Sequence, residues 1–314
     1  MGRYVLQRLL LVIPTLLGVT IFLSVLVRVI PGGAASAFCA DGCTQEQTLA
    51  INASLGLDRP LPVQYVEWIG SAVRGDLGEG FQNRRSVAAD IRTRLPVTMQ
   101  LGLMAMIVAM SIALPIGILS AIRQDSALDY IARGSAIAWL SVPSFFLATL
   151  IIAYGGNLFG WAPPLTYKSF LQSPLENIAI TFLPAVLLGA ALSGTVMRLS
   201  RAQMLEVMRQ DYIRTAWSKG LREPTIIARH AVRNAFIPVI TLIGLQVPIV
   251  FGGSVILETI FNIPGVGRYL VTAIGQRDYP IIQGVNLVIA TVVVMTNLLV
   301  DVSYSVLDPR VRYS

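Results

Sequence analysis

Long runs of apolar residues dominate the chain, and short polar segments separate them. A helix that crosses a membrane needs about 20 predominantly apolar residues, and six runs reach or approach this length. These runs are Leu9–Val29, Val97–Ile122, Gly134–Leu158, Ile178–Met197, Ala235–Leu257 and Ile281–Val300. The pattern therefore predicts an all-α integral membrane protein with six transmembrane helices.

The positions of the basic residues predict the orientation of these helices. Arg3 and Arg8 precede the first run, a basic stretch follows the fourth, and Arg310 and Arg312 follow the sixth. Because basic loops remain on the cytoplasmic side of a membrane, these segments and both termini are predicted to be cytoplasmic. The long loop 31–96 has six Lys/Arg and seven Asp/Glu, and long loops translocate largely regardless of charge.

Composition supports a membrane protein and argues against a nucleic-acid partner. The 314 residues are 54% hydrophobic and 13% charged, and the mean hydropathy of +0.68 is high for a soluble domain. The formal net charge is +7, which by itself is compatible with nucleic-acid binding. However, the basic residues lie beside the apolar runs, and no nucleic-acid-binding motif accompanies them. The charge therefore indicates membrane orientation.

The loop after the first span contains helical signals of its own. Thr44, with Gln47 three residues later, has the pattern of a capping box at a helix start. Val63–Val73 has apolar residues at helical spacing, and Val87–Leu95 predicts another short helix. The second span is expected to begin at Pro96, since proline suits the first turn of a helix. A cap that contacts a delivery protein and a lid that only covers the span ends both fit this loop.

Two features near the start of this loop concern processing. Cys39 and Cys43 are the only cysteines. An exported position permits a disulfide between them, and two unpaired cysteines fit equally well. Ala35-Ser36-Ala37 matches the small-residue pattern of a signal-peptide cleavage site. The preceding apolar run is longer than the roughly 7–15 residues of a signal-peptide core, so the first span is predicted to be retained.

The stretch from Arg198 to Arg233 is the most distinctive polar segment. It holds eight Lys/Arg, three Asp/Glu and the only histidine, His230. Within it we predict a short amphipathic helix that ends at Gly220. The apolar side of that helix comprises Ile213, Ala216, Trp217 and Leu221. Docking onto a protein and lying on anionic lipid are both compatible with this pattern.

The chain lacks the common signatures of an enzyme or of an ion-coupled carrier. It contains no G-x-x-x-x-G-K-[ST] phosphate loop, no G-x-S-x-G and no H-E-x-x-H. Ion-coupled carriers place ionisable groups near the membrane midplane, whereas Arg28, Glu258 and Asp301 lie near the ends of predicted spans. A passage powered by another protein is therefore favoured. A secondary carrier or channel is the alternative, and an intramembrane enzyme that uses His230 is the least favoured.

Several motifs resemble one family of membrane proteins. Asp211-Tyr-Ile-Arg-Thr-Ala-Trp-Ser-Lys-Gly220, followed by Arg229-His-Ala-Val-Arg-Asn-Ala-Phe-Ile-Pro238, resembles the EAA-type loop of bacterial ABC importer permeases. The version is that of the dipeptide/oligopeptide/nickel branch, in the first of its two permeases. Further motifs resemble this branch in the same order, namely 1–10, 14–20, 55–60, 75–78, 258–267, 297–301 and 307–310. One departure is Pro31-Gly-Gly-Ala34, where the branch usually has Pro-Gly-Asp-Pro.

The resemblance implies the fold of a type I ABC importer transmembrane domain with a long extracytoplasmic loop after the first helix. Residues 1–30 would form the N-terminal segment and first helix, and residues 31–96 the loop. Residues 97–308 would form the core permease domain, with a cytoplasmic coupling loop at 198–234. Residues 309–314 would form a cytoplasmic tail. The implied location is the bacterial cytoplasmic membrane.

The resemblance also implies partners and a class of substrate. The expected partners are a second homologous permease, two cytoplasmic ATPase subunits and an extracytoplasmic solute-binding protein. ATP and Mg would bind to the ATPase subunits, so no cofactor, metal or catalytic site is expected in this chain. Di- and oligopeptides are favoured as the substrate over nickel, glutathione, opines and sugars, because one histidine and two cysteines offer few ligands for nickel. The residues that bind the substrate are unknown.

Finally, the resemblance implies that the short helix couples the permease to an ATPase. The residues expected to serve this coupling are Asp211, Tyr212, Arg214, Thr215, Ala216, Trp217, Lys219 and Gly220. An apolar set is expected to enter a groove on the ATPase, comprising Tyr212, Ile213, Ala216 and Trp217. Arg214 and Lys219 are expected to meet acidic residues at the rim of that groove.

Overall fold

The computed structural model describes residues 2–29, 33, 35, 38, 44–160, 162–164 and 166–307, apart from the side chains of residues 2–5, 159, 301 and 303–307. Within this part of the chain the regular elements are helices, and one isolated antiparallel bridge joins Glu79 to Ser86. The prediction of an all-α protein is confirmed.

The helices differ widely in length, from a single turn to more than thirty residues. They are α1 (Gly2–Val29), α2 (Gln45–Ser54), α3 (Leu61–Val73), α4 (Val87–Ile122), α5 (Ala127–Ser141), α6 (Ser144–Phe159), α7 (Pro174–Met208), α8 (Asp211–Ser218), α9 (Glu223–Thr225), α10 (Arg233–Leu245), α11 (Val247–Ile260), α12 (Val266–Gln276) and α13 (Tyr279–Leu307). A π-helical segment, Ile226–Val232, connects α9 to α10.

Five of the described helical segments are long and apolar enough to cross a membrane. They are Leu6–Val29, Val87–Ile122, Pro174–Met208, Glu223–Leu245 and Tyr279–Val300. A sixth is a broken pair, because α5 and α6 meet at an angle of 83°. Pro143 lies at this break and has no N–H group with which to continue the hydrogen-bond ladder of α5. Counted as one span, the pair completes the predicted six.

Helix α4 begins earlier than the sequence pattern predicts. The helix starts at Val87 and continues through Pro96 to Ile122, so the expected start of the span at Pro96 is wrong. Val87 and Ile91 are buried in an apolar cluster, which fixes the first turns of the helix by packing. Transmembrane helices also tolerate internal proline better than soluble helices do. The short helix predicted at 87–95 and the second span are therefore one element.

The fifth predicted span is also placed differently. Its apolar run, Ala235–Leu257, is divided between α10 and α11, with Gln246 buried at the junction. Pro248 lies in the first turn of α11, where its missing N–H group costs no helical hydrogen bond. The spanning segment instead begins before the π-helical turn and ends at Leu245.

The chain forms two compact units, each with its own packing. Unit A comprises Met99–Phe261 with Leu299–Ser314, and unit B comprises Gly2–Thr98 with Asn262–Leu298. Helices α4 and α13 contribute residues to both units.

Within unit A, α7 makes backbone-to-backbone approaches to its neighbours. A Cβ atom at Gly189 would lie 2.5 Å from the carbonyl oxygen of Ala105 in α4. A Cβ atom at Gly194 would lie 2.7 Å from the carbonyl oxygen of Ala136 in α5. Small residues at helix crossings permit such close packing in membranes, where van der Waals contact drives helix association. Helices α4, α5 and α7 therefore form one tightly packed block.

Within unit B, the start of α4 is joined to the region that follows α11. The side chain of Thr98 accepts a hydrogen bond from Val266 N at 2.9 Å, and Tyr269 Oη donates to Asp90 Oδ2 at 3.0 Å. The two predictions for the start of this loop are confirmed. Thr44 and its partner in the capping box begin α2, and an amphipathic α3 spans Leu61–Val73.

Candidate functional site

The predicted amphipathic helix within 198–233 is present as α8, Asp211–Ser218. One side of it is buried in unit A, where Ile213 and Ala216 are 1% and 6% exposed. These two side chains pack in a cluster with Met204 of α7 and Ile226 of the π-helical segment. Helix α8 is therefore seated on the protein's own core, and its position is fixed by apolar burial.

This packing corrects the expectation about which side chains enter a partner's groove. The side chains of Ile213 and Ala216 pack against other residues of this chain, so neither is available to a groove on another protein. The apolar surface left outside comprises Tyr212, Trp217 and Leu221, which are 43%, 45% and 38% exposed. Ala216 still lies in the segment that is predicted to couple to an ATPase, but its side chain packs against the protein's own core and helps to hold α8 in place.

The C-terminal end of α8 lies just before Gly220, as the sequence predicts. Gly220 adopts a left-handed backbone conformation with φ +75°. Its N–H donates to Trp217 O at 2.9 Å, and Leu221 N donates to Ala216 O at 3.3 Å. This pair of hydrogen bonds is a Schellman motif, which satisfies carbonyls at the helix end. A side chain at position 220 would be strained by this φ, so glycine holds the exit from α8 in place.

A hydrogen-bond relay ties the outer edge of α8 to the segment that follows it. Asn234 Nδ2 donates to Tyr212 Oη at 3.1 Å and to the carbonyl oxygen of His230 at 2.8 Å. His230 is thus part of the π-helical segment and contributes a backbone acceptor to this relay. Since both contacts are at the surface, the relay orients Tyr212 while leaving its ring accessible.

Charged side chains surround the exposed part of α8. Arg214 contacts Asp211 across one turn at 3.4 Å, and both side chains are largely exposed. Asp211 lies in the first turn, where a negative charge complements the helix dipole. Arg209, Lys219 and Arg222 are also exposed. The accessible surface is therefore aromatic and mainly basic, with Thr215 also exposed among these residues.

A buried ion pair supports the helix that leads into α8. Asp129 of α5 is 0% exposed, and Arg201 of α7 donates to it through Nε at 2.7 Å and Nη2 at 2.8 Å. Ser120 Oγ of α4 donates to the same carboxylate at 2.5 Å. Such two-pronged geometry is the strongest form of Arg–carboxylate contact. The ion pair links three helices at the base of the region that carries α8.

Sequence reasoning missed this ion pair. Residues 123–133 hold two basic and two acidic residues, which carry no clear signal. One local signal was available, because Ser126 caps α5 and accepts a hydrogen bond from Asp129 N at 3.4 Å. That signal marks a helix start but says nothing about Arg201, which is 72 positions further along the chain. Cys39 and Cys43, the candidate disulfide, lie outside the described residues.

Comparison with known proteins places the whole chain among transport proteins. Residues 113–313 match the family described as "Binding-protein-dependent transport system inner membrane component", and residues 1–102 match the corresponding N-terminal family. A putative peptide transport system permease protein of Brucella abortus (strain 2308) is 40% identical over 313 residues, with 100% of both chains covered. The dipeptide transport system permease protein DppB of Escherichia coli (strain K12) is 36% identical over 337 residues, covering 100% of this chain and 99% of that protein.

A solved structure shares the fold at much lower identity. A chain in the crystal structure of an amino acid ABC transporter with histidines matches with a TM-score of 0.51 and 15% identity. The match covers 71% of this chain and 94% of that chain. It supports the expected transmembrane fold.

Proposed function

This chain belongs to the family of binding-protein-dependent transport system inner membrane components, and on that premise we propose that it is the permease subunit of an ATP-driven peptide importer. It is a multi-pass inner-membrane protein, and its family is the membrane component of the importer and not its ATPase. Relatives named as peptide and dipeptide permeases support di- and oligopeptides as the substrate.

The proposed partners follow from the division of labour in such a transporter. Two cytoplasmic ATPase subunits bind ATP and Mg, a second homologous permease completes the passage, and an extracytoplasmic solute-binding protein delivers the peptide. Both termini and the segment 198–233 are proposed to be cytoplasmic, because basic residues flank the spans at these places. This orientation directs α8 toward the ATPases.

The observation that carries the proposal is the two-sided character of α8. Its inner side is held by burial of Ile213 and Ala216, while Trp217 and Tyr212 remain exposed on a basic surface. Exposed aromatic residues with basic neighbours are common anchors of protein interfaces. We propose that Trp217 and Tyr212 enter a groove on one ATPase, and that Arg214 and Lys219 meet acidic residues at its rim.

The packing around α8 supports transmission of a force through it. Met204 at the end of α7 and Ile226 in the π-helical segment both contact the buried side of α8. A displacement of α8 therefore displaces α7 and the spanning helix that follows the π-helical segment. When ATP draws the two ATPases together, the same displacement would switch the passage between its two open states.

The proposal is tested by replacing Trp217 with alanine. A central interface anchor contributes about 2 kcal/mol or more to docking, so we expect Trp217→Ala to reduce ATP-driven uptake at least tenfold. The assay is uptake of labelled alanyl-alanine into proteoliposomes that contain both permeases, both ATPases and the binding protein. Nickel and glutathione are added as competitors of the labelled peptide. If either one reduced uptake and unlabelled peptides did not, the proposed substrate would be wrong.

The controls separate loss of docking from loss of the fold. Leu171, which is 95% exposed and distant in sequence from α8, provides a matched apolar truncation, and Leu171→Ala should retain normal uptake. Membrane levels of both variants should equal those of the wild type. Normal uptake and normal ATPase stimulation in Trp217→Ala would show that α8 is not the coupling element. If Trp217→Ala weakened the binding of α8 to lipid while uptake and ATPase stimulation stayed normal, a role of α8 on the membrane surface would be favoured.

A further inference from the structure

A polar cavity within unit B has no role in the coupling described above. It has a volume of about 290 Å³ and lies among the end of α1, α3, the turn after α3 and the start of α13. Loop segments 55–57 and 76–78, parts of two motifs noted in the sequence, contribute to its lining. Small-molecule pockets begin at roughly 300 Å³, so the cavity has the size of a small ligand.

Arg28 supplies a cation to the wall of this cavity. Its Nε donates to Gln64 Oε1 at 3.0 Å and its Nη1 to Ser24 Oγ at 2.9 Å. Nη1 also donates to the carbonyl oxygen of Ser24, and Nη2 to Gln64 Oε1. These contacts use four of the five guanidinium N–H groups, and every partner is uncharged. Among the described residues, one N–H group of Nη2 and the positive charge of this partly buried side chain have no partner and are open to a ligand.

Trp68 forms another part of the same wall. Its Nε1 is buried and has no hydrogen-bond partner among the described residues, although the residue lines the cavity. The indole N–H group can only donate, and a buried donor without an acceptor is unfavourable. Because this nitrogen has almost no accessible surface, it is covered by protein and is not presented to a molecule in the cavity.

Asp76 supplies the opposite charge. Its Oδ1 accepts a hydrogen bond from Gly78 N at 2.9 Å, and in the described part of the chain its Oδ2 has no partner. The other carboxylate of the lining, Glu67, is already paired with Arg59 at 2.6 Å. Among the described residues, the cavity thus presents one cationic donor with an N–H group to spare and one available carboxylate oxygen.

We propose that this cavity binds a small zwitterion, with its anionic group on Arg28 and its ammonium group on Asp76. A free short peptide and the headgroup of phosphatidylethanolamine share this chemistry. The site would add a step of substrate binding to the proposed importer. The choice of a peptide as the probe rests on that proposed function. It would place a peptide-binding site in unit B, on the chain itself and apart from any site on the binding protein.

The test measures peptide binding to the purified complex without binding protein and without ATP. The complex is placed in nanodiscs of phosphatidylcholine, whose headgroup has no N–H group, and labelled alanyl-alanine is added by equilibrium dialysis. We expect saturable binding at one site per chain. Alanyl-alanine amide and N-acetyl-alanyl-alanine, which lack one charge each, should bind at least tenfold more weakly.

Variants assign each charge to its residue. Arg28→Gln should weaken dipeptide binding at least tenfold and should remove the preference for the dipeptide over its amide. Asp76→Asn should remove the preference over the acetylated form. Arg74→Gln, an exposed neighbour outside the lining, is the matched control and should bind as the wild type does. A residue with only a structural role would weaken binding of all three ligands equally.

Two further measurements separate the possible outcomes. Native mass spectrometry of complex purified from phosphatidylethanolamine-containing membranes identifies a lipid occupant if the wild type retains that lipid and Arg28→Gln loses it. Dipeptide binding that Arg28→Gln leaves unchanged, or no binding of dipeptide and no Arg28-dependent lipid, overturns the proposal. ATP-driven uptake in the same preparations reports on the function separately. Uptake without Arg28-dependent binding overturns only the cavity site, and Arg28-dependent binding without any uptake overturns only the importer.

Discussion

In the described part of the chain, units A and B each bury one aspartate almost completely, but they satisfy its charge in opposite ways. Asp129 in unit A is 0% exposed and is held by the guanidinium of Arg201 and the hydroxyl of Ser120. Asp278 in unit B is 1% exposed and accepts hydrogen bonds from backbone N–H groups, at 2.7 Å from Phe81 and 3.4 Å from Ile281. One carboxylate therefore joins helices by charge, whereas the other fixes a turn by its geometry.

The difference shows what each unit requires of a buried acid. In unit A, the ion pair and Ser120 link helices α4, α5 and α7. Loss of Asp129 would therefore leave the charge of Arg201 without this partner inside the block. In unit B, burial raises the pKa of Asp278, and the N–H groups of Phe81 and Ile281 offset this only in part. The fold therefore disfavours the ionised form of Asp278, whereas it depends on the ionised form of Asp129.

Removal of Asp129 should produce the largest effect. Breaking a buried ion pair by deleting one partner costs about 3–5 kcal/mol, and the partial exposure of Arg201 places Asp129→Ala near the lower end, at about 3 kcal/mol. Thermal unfolding of the purified complex measures this loss. The double variant Asp129→Ala/Arg201→Met should recover part of it, because the more buried of the two arginines paired with Asp129 is then replaced by an uncharged side chain, and the other, Arg133, is 40% exposed. A double variant less stable than Asp129→Ala would show that Arg201 has another anionic partner.

Asp278→Asn should have a smaller effect that depends on pH. Because the pKa of Asp278 is higher in the folded state, the unfolded chain loses its proton first as pH rises. The contribution of this group to stability is therefore greatest below its unfolded pKa of about 3.9 and falls as pH rises through the folded pKa. Asparagine removes this fall. We expect the variant to gain up to about 1 kcal/mol relative to wild type between pH 4 and pH 7.

The measurement is the stability difference between Asp278→Asn and wild type at several pH values. Asp58→Asn, at an exposed position of the same unit, is the control for removal of one surface carboxylate. A difference for Asp278→Asn that falls as pH rises would mean that the ionised form is favoured by the fold, contrary to the burial of this carboxyl group.

The exposed pair Asp211–Arg214 should show the smallest effect on stability. It has the same residue types as the buried pair, but both side chains are in solvent and the contact is 3.4 Å. Exposed ion pairs contribute about 0–1 kcal/mol and are screened by salt, so Asp211→Asn should change the free energy of unfolding by less than about 0.5 kcal/mol. A loss near that of Asp129→Ala would remove the distinction between the two pairs.

The parts of the fold that sequence could predict are those specified by neighbouring residues. Thr44 with Gln47 marked the start of α2, and Gly220 marked the end of α8. The start of α4 could not be placed, because burial of Val87 and Ile91 in a distant cluster overrides the local signal of Pro96. The buried side of α8 was assigned to a partner for the same reason, since periodicity identifies an apolar face but not what covers it.

The close approach of Gly189 to Ala105 and of Gly194 to Ala136 gives α7 the properties of a lever. Its 35 residues form a rod about 50 Å long, and contacts between backbones leave little slack for it to bend separately from α4 and α5. Tilting such a rod by about 5° around one end moves the other by about 4–5 Å. A displacement at α8 is therefore carried to the far end of the span as a tilt of α7 together with its packed neighbours.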